Sequence, residues 1–169
     1  MIEQILTHYA ECLDKYLART HPQTEGLATV GMIGSIEDER PNKVVVSLLN
    51  LERDAAGDIS YARREGNAFI GKNPPMMFNL YIMLAAVYDS KRYAESLAVL
   101  SETLHFIQSM PMFTFDGKSY SVEIETTSTK DLHNIWTTMG GQYYPSVICR
   151  VRGLVVDSNT VISRYSLSE

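Results

Sequence analysis

The chain has 169 residues, the length of about one domain, and its 45% hydrophobic and 21% charged residues exclude disorder, a collagen-like repeat or a coiled-coil rod as a description of the whole. Fifteen Lys and Arg against twenty Asp and Glu leave a net charge of −5, and no basic run exceeds Arg63-Arg64. Without a basic patch to neutralise phosphates, nucleic-acid binding has no support.

In chain order, Ile2, Ile5, Leu6, Tyr9, Leu13, Tyr16 and Leu17 recur at the three- and four-residue spacing of a helical face, which ends before His21-Pro22. Acidic residues stand where a secretory signal needs a basic start, which predicts a soluble protein made in the cytoplasm. Val30 to Ile36 reads as a short strand weakened by Gly31 and Gly34. Glu37 to Asn42 is a charged turn, and Lys43 to Arg53 is a β-rich strand buried on both faces at its start. Asp54 to Asn73 has no clear periodicity, contains Gly57, Gly66 and Gly71, and is expected to be a long loop. An arm reaching a neighbouring subunit and a surface loop ordered by its own contacts are both open for it.

After Asn73-Pro74-Pro75, the run Met76 to Tyr88 is rich in aromatic and apolar residues and suggests a strand, although its length also allows a helix. At thirteen residues it falls short of the ~20 a membrane span needs. Asp89-Ser90 opens the clearest helix, in which Tyr93, Leu97, Leu100, Leu104 and Ile107 are expected to lie on a sheet. Met110-Pro111 ends it. Phe113 to Phe115, the turn dipeptide Asp116-Gly117, and Tyr120 to Glu125 predict a hairpin. Ser128 with Asp131 resembles a capping box and opens a helix through Met139, which Gly140-Gly141 closes. Ser146 to Asp157 is the last strand, followed by a polar tail over 158–169. The order predicts an α+β domain over 1–169, with about three helices packed on a mainly antiparallel sheet.

The chemistry-bearing residues converge on no reaction. Gly117-Lys118-Ser119 lacks the upstream glycine of a phosphate loop, because that position is Met112, and it sits in a hairpin. His8, His21, His105 and His133 have no metal-ligand spacing, and Glu37-Asp38-Glu39 lacks the alternating pattern of a calcium loop. Cys12 and Cys149 form no C-x-x-C pair. They read as a disulfide, a reactive thiol or, in the simplest account, two small buried hydrophobes. Met76, Met77 and Met83 are expected in the core, and Trp136 is expected to anchor it. No catalytic residue, metal site or cofactor is expected.

Four stretches in series carry a resemblance: VSLLNLE (46–52), NPPMMFNLYIMLAAVY (73–88), LAVLSETLHFIQSMPMF (97–113) and TSTKDLHNIWTTMGGQYYPSVICRVR (127–152). Together they resemble the tail-cap, or tail-terminator, proteins of contractile injection systems of the antifeeding-prophage type, similar to phage tail terminators. The resemblance covers nearly the whole chain. It implies a structural protein without catalysis, a six-fold ring on the baseplate-distal end of the inner tube that stops tube and sheath polymerisation and holds the last sheath layer. The partners implied are further copies of itself, the tube protein, the sheath protein and a second cap-type protein. Assembly in the bacterial cytoplasm and residence in a phage tail-like particle follow, without membrane insertion. The alternative is a cap adaptor or assembly chaperone that binds tube or sheath transiently.

A six-fold ring needs two different complementary edges on each subunit. Segment 54–73 and the tail after Asp157 are the pieces assigned to neighbours. Arg63, Arg64, Phe69, Lys72, Tyr143, Tyr144, Arg164 and Tyr165 are the candidate interface residues. Several members of the family carry a longer C-terminal extension, whereas this sequence ends at Glu169.

Overall fold

The computed structural model describes residues 1–21, 26–33, 41–54, 62–65, 68–72, 75–140, 142–157 and 161–166. Among these residues three α-helices, α1 (Ile2–Leu17), α2 (Tyr93–Ser109) and α3 (Thr129–Thr138), accompany nine strands. The strands are β1 (Ala28–Val30), β2 (Lys43–Asp54), β3 (Ala62–Glu65), β4 (Ala68–Lys72), β5 (Met76–Val87), β6 (Met112–Phe115), β7 (Lys118–Ile124), β8 (Ser146–Val156) and β9 (Val161–Ser166). Six form one sheet in the order β1-β2-β5-β8-β7-β6, antiparallel except for the parallel pair β1–β2. The fold is α+β, as the sequence predicts.

The sheet is buried on both faces at its centre. Val44 and Val46 of β2, Leu80, Ile82, Leu84 and Ala86 of β5, and Cys149 and Val151 of β8 pack with α1 and α2. The alternating residues Val45, Met83, Ala85 and Ile148 pack with Trp136 of α3 and with Ile33. Successive strand residues point to opposite faces, so α1 and α2 cover one side and α3 the other. This explains why β5 reads as an unbroken apolar run, and it decides the strand over the helix.

α1 buries Ile5, Leu6, Tyr9, Leu13 and Leu17, the face that the periodicity marks, together with Ala10. Asp14 turns off that face, and its Oδ1 accepts hydrogen bonds from the Leu27 and Ala28 amides, the latter at 3.0 Å. That anchor starts β1 at Ala28, upstream of the expected Val30–Ile36 strand. Met32 is 77% exposed. The turn at 37–40 lies outside the described residues. Ser128 Oγ accepts from the Asp131 amide at 3.1 Å and caps α3 as predicted. The β6–β7 hairpin closes through Asp116 (φ 50°) and Gly117 (φ 70°), the double left-handed turn that favours Asp-Gly.

α2 corrects the expected face in part, since Ile107 is buried and Leu100 packs against the core as expected. Its buried residues are Ser96, Val99, Thr103, Phe106 and Ile107, while Tyr93 (54%), Leu97 (42%) and Leu104 (39%) are exposed. Ser96 and Thr103 enter the core because their hydroxyls donate back to their own helix, to Tyr93 O at 2.6 Å and Val99 O at 2.8 Å. Met83 is in the core as expected, but Met76 and Met77 at the start of β5 are exposed.

The expected loop over 54–73 is also corrected: β3 and β4 form an antiparallel hairpin within it, and β9 in the tail pairs with β4. The second sheet runs in the order β3-β4-β9. It repeats the central lane of the first, because β3 follows β2, β4 precedes β5 and β9 follows β8. The same three chain segments therefore pair twice in the same order.

Candidate functional site

Six of the eight predicted interface residues fall in this second sheet. In register, Arg64 and Tyr165 both oppose Phe69, Arg63 and Arg164 both oppose Ile70, and Lys72 opposes Val161. Stretches almost a hundred residues apart in sequence are thus brought onto one small sheet. Tyr143 and Tyr144 are not part of it. They follow α3, where their rings stand 5.6 and 5.8 Å from that of Trp136. Trp136 is buried, as expected of a core anchor, whereas Tyr143 is 57% exposed.

A second feature had no signal in the sequence. α3 has ten residues, about 15 Å of helix at ~1.5 Å per residue, whereas β5 has twelve, about 40 Å of strand at ~3.3 Å per residue. α3 cannot cover its face of the sheet, and beside it opens a groove of about 870 Å³. Leu49, Ile135, Met139 and Ile148 form its apolar lining, and Glu52, Arg53, Glu125 and Asp131 its charged lining. Leu49 is the irregular residue in β2, passed over between the paired positions Leu48 and Asn50.

The polar wall is a ladder across four strands, with Asn50, Tyr81, Arg150 and Glu123 directly opposite one another in β2, β5, β8 and β7. Tyr81 Oη donates to Glu52 Oε2 at 2.6 Å, and that bond holds the phenol above its ordinary range. Arg150 makes ion pairs with Glu125 (Nε–Oε1, 2.7 Å) and Glu123 (Nη2–Oε2, 3.2 Å), and Arg152 joins Glu123 at 3.3 Å. Partly exposed pairs of this kind contribute about 0–1 kcal/mol each, so their main effect is to fix side-chain positions on the wall.

The thiols are both free. Burial, with a smaller push from Glu125, raises Cys149 to about 12 from 9.0, and burial raises Tyr88 to about 12 from 10.0. These groups stay protonated in the folded chain at pH values where the unfolded chain ionises. Their stabilisation is therefore complete below about pH 9 and lost as pH rises towards about 12. The urea midpoint is expected to fall between about pH 8.5 and 11, with Cys149 labelled by a thiol reagent only as the chain unfolds. A flat midpoint, or prompt labelling of Cys149 near pH 8, would contradict the burial. Among the described residues no group of three or more His, Cys, Asp or Glu side chains is placed to hold a metal ion. None of the described helices is long and apolar enough to cross a membrane.

The family model for the Pvc16 N-terminal domain matches residues 5–166. This chain belongs to that family. No curated protein matches it. Among solved structures, the chain is similar to the PVC sheath/tube terminator of an extracellular contractile injection system in the extended state, with TM-score 0.56 and 13% identity over 94% of this chain and 58% of that one. It is also similar to the tube-terminating cap of the anti-feeding prophage, with TM-score 0.58 and 14% identity over 96% of this chain and 54% of that one. At these identities the likeness establishes the fold. The chain spans a little over half the length of these solved terminators.

Proposed function

We propose that this member of the Pvc16 N-terminal domain family is a structural terminator of a contractile injection system, seated as a ring of six copies on the baseplate-distal end of the inner tube. The observation that carries the reading is the family match over residues 5–166, joined to a fold shared with a sheath/tube terminator and a tube-terminating cap. In this role the protein stops tube and sheath growth by occupying the end where the next subunit would add. Its partners are its own copies, the tube protein and the sheath protein. It assembles in the cytoplasm and becomes part of the particle, which is either released or membrane-attached. The role is non-catalytic and needs no cofactor.

The second sheet suits a ring contact. Its residues carry no self-contained core pattern in the sequence, and a head-to-tail ring needs on each copy an element that one neighbour receives. Tail lengths measured by electron microscopy, in a strain assembling the particle with and without this chain, test the proposal. Overlong or uncapped tubes and unstable sheaths are expected without it. Normal, uniformly capped tails would overturn the terminator reading and favour an adaptor or chaperone that leaves before assembly is complete.

A further inference from the structure

The geometry points to the groove beside α3 as the surface that receives the second sheet (β3-β4-β9) of another copy of this chain. This rests on the ring reading and adds to it a specific pair of surfaces.

Charge is the first argument. Of the 15 basic and 20 acidic residues of the chain, the strands of the second sheet hold four and one: Arg63, Arg64, Lys72 and Arg164 against Glu65. The remainder therefore carries 11 basic and 19 acidic residues. A small basic sheet is attached to an acidic body, a distribution that favours head-to-tail contact between copies. The groove carries the matching sign through Glu52 and Asp131 against Arg53, while Glu125 is paired with Arg150 on the wall. Tyr81 bonds Glu52 and the Ser128 hydroxyl bonds Asp131 Oδ2 at 2.6 Å, and bonds to neutral donors leave a carboxylate its charge.

Shape and surface chemistry are the second argument. The groove is open along an apolar lining, where Leu51 is 41% exposed and Leu49, Ile135 and Met139 are half-buried. Among the described residues β1 pairs only with Val44, Val45 and Val46, so the outer half of β2 borders the groove beyond the reach of β1. An apolar lining inside an acidic rim suits a basic element with apolar positions of its own, and in register β4 places Ile70 between Arg63 and Arg164 on one face and Phe69 between Arg64 and Tyr165 on the other.

Sedimentation of the purified full chain, at low and high salt, tests the contact with three charge variants. Glu52→Arg with Asn134→Arg changes exposed groove positions and leaves the α3 cap intact. Arg63→Glu with Arg64→Glu changes the second sheet, and the third variant combines all four substitutions. Self-association that weakens with salt is expected for the native chain. Either pair alone should weaken it at least tenfold, and the combination should recover most of the loss.

A second measurement does not depend on tolerance of four substitutions. In a Cys12→Ala background, Asn134→Cys and Arg64→Cys should form disulfides between copies under mild oxidation. A native chain that stays monomeric and gives no cross-link would overturn the proposal, as would a groove variant that associates like the native chain or a combination without recovery. Location on the particle separates the two readings. Chain at tail ends whose assembly ignores the groove variant defeats this contact alone. Copies that cross-link through the groove yet are absent from tail ends defeat the terminator reading alone.

Discussion

Phe106→Ala is expected to cost about 3–5 kcal/mol, the range for emptying a fully buried aromatic site. Phe106 is 0% exposed, and its ring lies 5.4 Å from both Tyr9 and Tyr16. Tyr9 in turn lies 5.1 Å from Phe113, which stacks on Tyr120 at 5.2 Å. The side chain therefore closes the seam between α1 and α2 and continues an aromatic row onto the β6–β7 hairpin. Alanine would leave a cavity in the seam between α1 and α2, which cannot collapse without moving one helix against the other. Against a total stability of about 5–15 kcal/mol, such a loss is readable as a large drop in urea midpoint. Leu97→Ala is the companion measurement. Leu97 lies on the exposed stripe of α2, and its truncation should stay within about 0.5 kcal/mol. Equal costs for the two variants would mean that the wrong face of α2 has been assigned to the core.

That contrast marks the limit of the sequence as a guide. Helix existence, caps and turns were legible because their signals are local: the spacing in α1, Ser128 with Asp131, and Asp116-Gly117 between two strands. The face of α2 was not. Two stripes at helical spacing compete along that helix, and the more apolar one enters the core only at Ile107 and partly at Leu100. Ser96 and Thr103 accept burial by bonding to their own helix, which no hydrophobicity pattern records. The hairpin in 54–73 was missed for a related reason. Ala62–Glu65 is too polar to alternate. β9 in the polar tail pairs with a strand about ninety residues upstream.

The candidate interface residues divide in the same way. Arg63, Arg64, Phe69, Lys72, Arg164 and Tyr165 were chosen for lying in segments without a core pattern, and that negative signal led to one sheet. The groove draws on β2, β5, β8, α3 and the residues between β7 and α3. It has no sequence signature because it results from a length mismatch between α3 and the strands beneath it. Among the described residues a ten-residue helix on a longer sheet leaves the outer half of β2 open, with Leu51 41% exposed, and this is the surface proposed above to receive a second copy. The second sheet's order β3-β4-β9 follows that of β2-β5-β8 in the first.

Gly153→Ala is expected to destabilise the fold by at least ~2–3 kcal/mol, through two effects that can be separated. Gly153 has φ +109°, in the region that L-residues rarely occupy, and a Cβ there would stand 2.6 Å from the Ser119 carbonyl oxygen and 3.4 Å from Tyr120 Cα. Both are backbone atoms of β7, so relief requires strand movement rather than a rotamer change. The glycine also marks the irregularity between β5 and β8. Leu80 pairs with Val151 and Phe78 with Leu154, so Arg152 and Gly153 together face Asn79. Bulges of this two-against-one kind bend a strand and increase its twist. Here the bend precedes the last residues of β8 that lead towards β9. Gly117→Ala provides the control, since Gly117 has φ +70° with nothing within 4 Å of an added Cβ. It should show backbone strain alone, about 1–2 kcal/mol. The excess cost of Gly153→Ala over Gly117→Ala, measured by urea unfolding, then reports the collision with β7. Equal costs would mean that β7 yields freely, and the close approach of β8 to β7 would not be a constraint on the fold.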